Sequence, residues 1–197
     1  FDITSGILRK AWHFDKSDNL PSKQQVDELL PLVNWQKVRF DDKSIELPSK
    51  MEIDFGGIGK EYAVDKIAEL IKTQTKQPAL INFGGDIFVL GKKPNGEKFS
   101  IGVKNPLNPN EIFKTFKLEN QSLTTSANYE RYEEVGDEKL NHIYSGFEKQ
   151  NNIISSTVVG NSCLESGILS TSLLLNKDIL VNNGFKYLIT DNLEIIK

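Results

Sequence analysis

At 197 residues and a net charge of −3, the chain suits one globular domain with a real core, and its scattered lysines and arginines lack the basic footprint of a polynucleotide-binding surface. No apolar run reaches the ~18 residues that a membrane span requires. A single cysteine, Cys163, rules out an intrachain disulfide and a cysteine-based metal site.

In chain order, Asp2, Thr4, Ser5 and Gly6 precede the apolar Ile7, Leu8 and Ala11, the pattern of a helix start. Ser22 and Gln25 form a capping box for a helix running to about Val33, with Val26, Leu29, Leu30 and Val33 as its buried stripe. Lys37–Phe40 and Ser44–Leu47 flank Asp41, Asp42 and Lys43 as a small hairpin, which Pro48 ends.

The stretch MEIDFGGIGKEYAVDKIAELIK, Met51 to Lys72, reads as an extended segment, a glycine turn (Gly56, Gly57, Gly59) and an amphipathic helix. Ala63, Val64, Ile67, Ala68, Leu70 and Ile71 follow helical spacing. The first turn of a helix offers unpaired N–H groups and a partial positive charge, so a phosphate suits the loop that opens it, and Lys60 adds a full charge. Strand-to-helix turns also carry glycine for geometry alone, and neither of the two best-known phosphate-loop spacings is present.

Ala79–Phe83 and Ile87–Leu90 are strand-like runs around Gly84, Gly85 and Asp86, a hairpin or bulge signal. Asp86 suits either a turn or a functional carboxylate. Lys98–Lys104 and Glu111–Leu118 read as strands joined by a loop with Pro106 and Pro109. Leu123–Tyr132 is polar where a core strand would be apolar: Thr124, Thr125, Ser126, Asn128, Tyr129, Arg131 and Tyr132 offer hydrogen-bonding groups and flat rings, although an exposed edge strand would look similar. A lone histidine such as His142 is commonly structural. Ile153–Val159 is a strand, Ser162 and Glu165 a second capping box opening a helix, Lys177–Asn183 a short helix stopped by Gly184, and Phe185–Thr190 and Leu193–Ile196 two strands around an Asp191–Asn192 turn. Many short strands with a few helices predict an α+β domain with a largely antiparallel sheet.

Several of these segments together resemble the ApbE family, flavin transferases that move FMN from FAD onto a protein hydroxyl. DFGGIGKEYAVDKIAEL resembles the family signature, FDITSGILRKAW its F-D-x-T-x-G opening, INFGGDI its N-x-G-G-D-I turn and LTTSANYERY its A-T-S-x-x-Y-x-R-Y segment, all in family order. His142-Ile143 and SCLESGILSTSLL match later blocks more weakly. The resemblance implies one ApbE-like, tunnelling-type α+β domain over residues 1–197. Because Phe1 falls inside a family motif, an upstream segment is expected.

The resemblance further implies a flavin site drawn from Asp2, Thr4, Gly57, Lys60, Gly84, Gly85, Asp86, Thr125, Ser126, Tyr129 and Arg131, with His142 as the acid-base or orienting residue. It implies FAD as donor, Mg2+ as cofactor, and an acceptor protein bearing a Ser or Thr hydroxyl, since no copy of the acceptor motif D-G-x-[ST]-G-A-[ST] occurs here. The metal and the helix N-terminus would hold the diphosphate while the hydroxyl attacks the FMN phosphorus and AMP leaves. The implied compartment is the bacterial cell envelope, on the periplasmic side of the inner membrane. Two departures stand out. The family's H-I-x-D-P-x-T-G is replaced after His142-Ile143 by Tyr144-Ser145-Gly146-Phe147, and of the metal-binding Asp and Thr that the resemblance implies on the late helix, the Asp position is Gly167 while the Thr is kept as Thr171. Mg2+ favours hard oxygens with one or two carboxylates, so the expected ligands reduce to the Gly59 carbonyl and the Thr171 hydroxyl, with Asp86 or Glu165 available to compensate. The departures leave two alternatives, an FAD- or FMN-binding protein without transfer and an Mg2+-dependent FAD pyrophosphate hydrolase.

Overall fold

The computed structural model describes residues 2–12, 21–128, 132–135, 138–141, 152–182 and 184–197, with the backbone course alone for 132–135 and 138–141. In chain order these residues form α1 (Lys23–Leu29), β1 (Arg39–Phe40), β2 (Ile45–Glu46), α2 (Gly59–Gln74), β3 (Ala79–Phe83), β4 (Asp86–Leu90), β5 (Phe99–Asn105), β6 (Asn108–Leu118), β7 (Gln121–Ala127), β8 (Tyr132–Val135), β9 (Glu138–Asn141), β10 (Ile153–Gly160), α3 (Cys163–Leu175), β11 (Phe185–Thr190) and β12 (Ile195–Ile196). They divide into two compact units, Phe1–Gly56 with Arg131–Glu148, and Gly57–Glu130 with Lys149–Lys197.

In the first unit the predicted opening helix is a 3-10 turn, Gly6–Lys10. Its polar cluster serves another purpose: Asp2 Oδ1 accepts from Thr4 N at 2.8 Å and Thr4 Oγ1 at 2.7 Å, while Ser5 makes no side-chain cap. Ser5 instead bridges to Glu52, and a Cβ on Gly6 would lie 2.9 Å from the Glu52 carbonyl. That close approach of backbone to backbone is what requires glycine there. The capping box of Ser22 and Gln25 forms as expected. Pro31, which has no N–H to give, ends the α-helix early and turns it into a 3-10 segment, Leu30–Leu32, so of the predicted stripe only Val26 is fully buried and Leu30 is exposed. β1 and β2 pair as the expected hairpin, and Asp41 closes its turn by accepting from Lys43 N and Ser44 N.

The second unit is built on a sheet of order β12-β11-β10-β7-β4-β3 with every neighbouring pair antiparallel, while β5 and β6 pair separately. Successive residues of β4 face opposite sides. Ile87 and Val89 join Ile101, Val103, Leu118, Leu123 and Val159 in one core, and Phe88 and Leu90 join Val64, Ala68, Ile81 and Cys163 in the other. The mixed α+β architecture with antiparallel sheets matches the expectation. α2 keeps its predicted span but turns a narrower face inward: Glu61, Val64 and Ala68 are buried, whereas Ile67 and Leu70 are exposed. The predicted helix at Lys177–Asn183 is absent from its described residues, where Asn176 Oδ1 accepts from Asp178 N in a turn. Gly184 is required for a different reason, because a Cβ there would run into the Val159 carbonyl.

α3 is held from both sides by polar groups. Across from β7, Ser122 Oγ meets Ser166 Oγ at 2.9 Å and Ser126 Oγ meets Ser170 Oγ at 2.8 Å. From α2, the Asp65 carboxylate accepts from Ser162 Oγ (2.7 Å), Cys163 N (2.8 Å) and Leu164 N (3.0 Å). Only half of the predicted Ser162–Glu165 box forms: Ser162 Oγ takes the Glu165 N–H at 3.2 Å, Asp65 rather than Glu165 accepts from the Ser162 hydroxyl and the next two N–H groups, and Glu165 stays exposed. An acidic side chain on the first turn also meets the positive end of the helix. Asp65→Ala is expected to cost about 2–3 kcal/mol, because three donors lose a charged acceptor; urea unfolding monitored by circular dichroism measures it, and Asp65→Asn should recover part of the loss.

Candidate functional site

The β3–β4 turn is a two-residue hairpin loop, with Phe83 opposite Asp86 and both Gly84 (φ +65°) and Gly85 (φ +100°) in the left-handed region. Glycine is needed there because L side chains are strained at such φ values. Asn82 Oδ1 fixes the loop by accepting from Gly85 N at 2.9 Å. Asp86, 5% exposed, follows directly, and its Oδ2 lies 2.5 Å from Lys60 Nζ. The Lys60 ammonium also sits beside Gly84, 3.8 Å from where a Cβ would stand. Lys60, Gly84 and Asp86, predicted from separate stretches, therefore converge.

α2 begins at Gly59, and its N-cap residue Ile58 provides no side-chain bond to the first turn. Among the described residues the N-cap side chain takes none of those N–H groups, and Glu61, whose carboxylate draws on its own backbone N–H, is the acidic residue of that turn. The Gly59 carbonyl, one of the two expected metal ligands, is aimed along the helix toward Ala63 and retains a single lone pair for any other partner.

Thr125 and Ser126 part company. Neighbouring strand residues point to opposite faces: Thr125 Oγ1 pairs with Thr157 Oγ1 across the strands at 2.9 Å, and Ser126 Oγ faces α3, 3.0 Å from Thr171 Oγ1. Ser126 and the second expected metal ligand thus adjoin each other, and Thr125 does not share their side. Asp2 and Thr4 lie in the first unit, bonded to each other, with Asp2 Oδ2 accepting from Trp35 N at 3.0 Å. Tyr129, Arg131 and His142, and the departing segment after Ile143, lie outside the described residues.

Sequence reasoning missed one residue. Glu61 is 7% exposed, on the inward face of α2 one turn before Val64, and its Oε2 has no hydrogen-bond partner among the described residues. Burial pushes its carboxyl above the ordinary range; its own backbone N–H and Lys60 pull it down, and the neighbouring Asp86 carboxyl adds to the upward push. The signal was available in the helical spacing, since Glu61 shares a face with Val64 and Ala68, but charged residues are seldom assigned to a core. Burial, with Asp86, Asp65 and Glu61 adding to it, also pushes the Cys163 thiol up, far from reactive thiolate chemistry.

Among the described residues no group of three or more His, Cys, Asp or Glu converges on a metal position. Mg2+ does not need such a cage, because it commonly takes one or two carboxylates together with substrate phosphates and waters. The donor set here, a buried carboxylate oxygen without a partner beside the Thr171 hydroxyl's helix, fits that requirement. A separate concavity of about 490 Å³, lined by Phe116, Phe185, Tyr187 and three lysines among others, shares no residue with this site.

A glycine hairpin and an uncapped helix start, tied by a Lys–Asp pair on an antiparallel α+β scaffold, form the kind of site that cradles a phosphorylated ligand. The sequence matches the ApbE family over residues 1–183, and the chain belongs to that family. It is 30% identical over 182 residues to the FAD:protein FMN transferase of Klebsiella pneumoniae (strain 342), covering 88% of this chain and 55% of that protein. Against the FAD:protein FMN transferase of Haemophilus influenzae the identity is 27%, over 97% of this chain and 61% of the relative. The chain thus spans little more than half the length of these relatives. The crystal structure of the Thermotoga maritima ApbE protein superposes with a TM-score of 0.88 at 26% identity, over all of this chain and 69% of that one. The apo flavinyl transferase ApbE of Pseudomonas stutzeri superposes at 0.79 and 23% identity, over 96% and 63%, and shows the shared fold.

Lys60→Met is expected to destabilise the chain by about 1–2 kcal/mol, since it leaves the buried Asp86 carboxylate unpaired while Lys60 itself is part-exposed; in a double-mutant cycle with Asp86→Asn the two losses should be clearly less than additive. Asp2 gives a pH signature. Burial raises its carboxyl, but the bonds from Thr4 and from Trp35 N outweigh that and hold it below the ordinary value near 3.8. The folded value is the lower one, so the stabilisation is complete above pH 3.8 and disappears as pH falls through the folded value. Asp2→Asn should therefore flatten the acid limb of stability against pH, as read by thermal unfolding between neutral and strongly acid pH.

Proposed function

We propose that this chain is the flavin-handling domain of a bacterial transferase that moves FMN from FAD to a Ser or Thr hydroxyl of an acceptor protein and releases AMP. The observation that carries the proposal is the convergence of the uncapped start of α2, Lys60 and the Gly84–Gly85 turn on one place. The names of the relatives, FAD:protein FMN transferase, support the choice of FAD as the anion held there.

In this reading the first-turn N–H groups of α2 and the Lys60 ammonium bind the diphosphate and offset its charge. The flat glycine turn lets backbone come close to the ligand, and Asp86 holds Lys60 in position. The acceptor oxygen forms a bond to the FMN phosphorus as the bond to the AMP oxygen breaks. AMP departs with that electron pair, and the hydroxyl proton passes to a base, a role assigned to His142. Catalysis rests on positioning and charge neutralisation. Thr171 and the Gly59 carbonyl would hold an Mg2+ ion, which when bound neutralises diphosphate charge. The reading places the domain on the periplasmic side of the inner membrane; among the described residues no helix is long and apolar enough to cross a membrane.

Incubation with FAD, Mg2+ and a Thr-bearing acceptor peptide tests the proposal by in-gel flavin fluorescence. Labelled peptide with stoichiometric AMP is expected. AMP without labelling would replace the transferase by an FAD pyrophosphate hydrolase, and FAD binding with neither product would leave a flavin-binding domain. Lys60→Met should weaken FAD binding about tenfold, the value of roughly one charge-assisted contact.

A further inference from the structure

The late helix lacks a carboxylate where the family resemblance expects one, and the structure shows what occupies the room. Gly167 is buried on α3, and Thr171 follows four residues later on the same face. A Cβ built on Gly167 would lie 2.6 Å from Glu61 Cγ and 3.3 Å from both Glu61 Cδ and Oε1. The contact is with the carboxylate-bearing end of the side chain. Any side chain at position 167 and the glutamate at position 61 compete for one volume.

Glu61 does not behave as a structural carboxylate. Among the described residues it forms no ion pair, and its Oε2 is buried without a partner. A buried acceptor in that condition carries a desolvation cost that its own backbone N–H and Lys60 offset only in part. Its neighbour Asp65, by comparison, satisfies three donors. Asp86 is already committed to Lys60, and Glu165 is exposed, so neither takes the open role.

We propose that Glu61 of α2 supplies the carboxylate ligand for the divalent cation that a side chain on α3 would otherwise supply, that Thr171 shares the ion with it, and that Gly167 is glycine in order to admit Glu61. The proposal rests on the flavin-diphosphate reading of this site and locates its metal carboxylate. It also explains why a buried acidic side chain and a buried glycine occur as a pair: each makes the other necessary. The ion is of the hard-oxygen class, Mg2+ or Mn2+, since the donors are a carboxylate and a hydroxyl with no nitrogen or sulfur.

The test uses the full chain and Mn2+ as probe, counting free Mn2+ by electron paramagnetic resonance in the presence of saturating FAD, with FAD binding measured separately by flavin fluorescence without metal. E61Q keeps the shape of the side chain and removes its charge; it is expected to bind Mn2+ at least tenfold more weakly, with an unchanged circular dichroism spectrum. G167D alone should lower the thermal midpoint, because its Cβ meets Glu61. The swapped variant E61G/G167D should regain both the midpoint and Mn2+ binding. Mn2+ binding by E61Q within twofold of wild type would overturn the assignment, as would a swapped variant that binds no better than E61G. Wild-type protein that binds FAD but no Mn2+ would overturn it while leaving the flavin reading intact, whereas loss of FAD binding itself would remove both.

Discussion

Helix α3 has to lie hard against both the sheet and α2 while burying polar groups, and the second unit depends on how that conflict is met. Its inward face carries Ser166, Gly167 and Ser170, and the facing strands offer Ser122, Thr124 and Ser126 from β7 and Ser156 from β10. Small side chains permit close approach; Ser122 meeting Ser166 and Ser126 meeting Ser170 offset part of the cost of removing hydroxyls from water, whereas Thr124 and Ser156 are buried with no partner among the described residues. The first turn of α3 is secured from outside the helix, by Asp65. One carboxylate therefore orients α3 and ties it to α2, the helix whose first residues lie beside the Gly84–Gly85 turn.

The same packing sets the electrostatics of the site. Lys60, Glu61 and Asp86 bring one positive and two acidic groups together in surroundings from which the acids are almost wholly excluded from water. Among the described residues Lys60 and Asp86 form an ion pair. A fold selected for stability alone would have little use for a second buried acid, since an unmatched carboxylate is among the more expensive features a core can contain. Packing among the described residues gives no reason for that second acid, and this is the ground on which a binding role for Glu61 is proposed.

Parts of the fold were legible because local rules and tertiary packing agreed. The span of β3, the hairpin around Gly84 and Gly85, the capping box at Ser22 and the body of α3 follow from signals contained within a few residues. Where the two levels disagreed, packing prevailed. Ile67 and Leu70 have the spacing of core residues, yet α2 presents a narrower face to the sheet and leaves them exposed. Asn176 closes a turn on Asp178 N where a helix was expected, and Pro31 cut short a helix whose stripe looked continuous. Thr125 and Ser126 show the limit for the site: adjacent in sequence and alike in chemistry, they are divided by the pleat onto opposite faces.

What the sequence determined unaided was the kind of protein: an α+β chain of the ApbE family with a glycine turn opening a helix, a Gly-Gly-Asp hairpin and a hydroxyl-rich strand, because each is a local pattern with its own backbone or hydrogen-bonding reason. Only the tertiary structure decided which side chains share a space. That Lys60 reaches Asp86, that Asp65 caps a helix nearly a hundred residues further along the chain, and that Glu61 fills the volume left by Gly167 are contacts between segments far apart in the chain. Their geometry is set by how α2, α3 and the sheet close on one another, and no periodicity within a single segment encodes it.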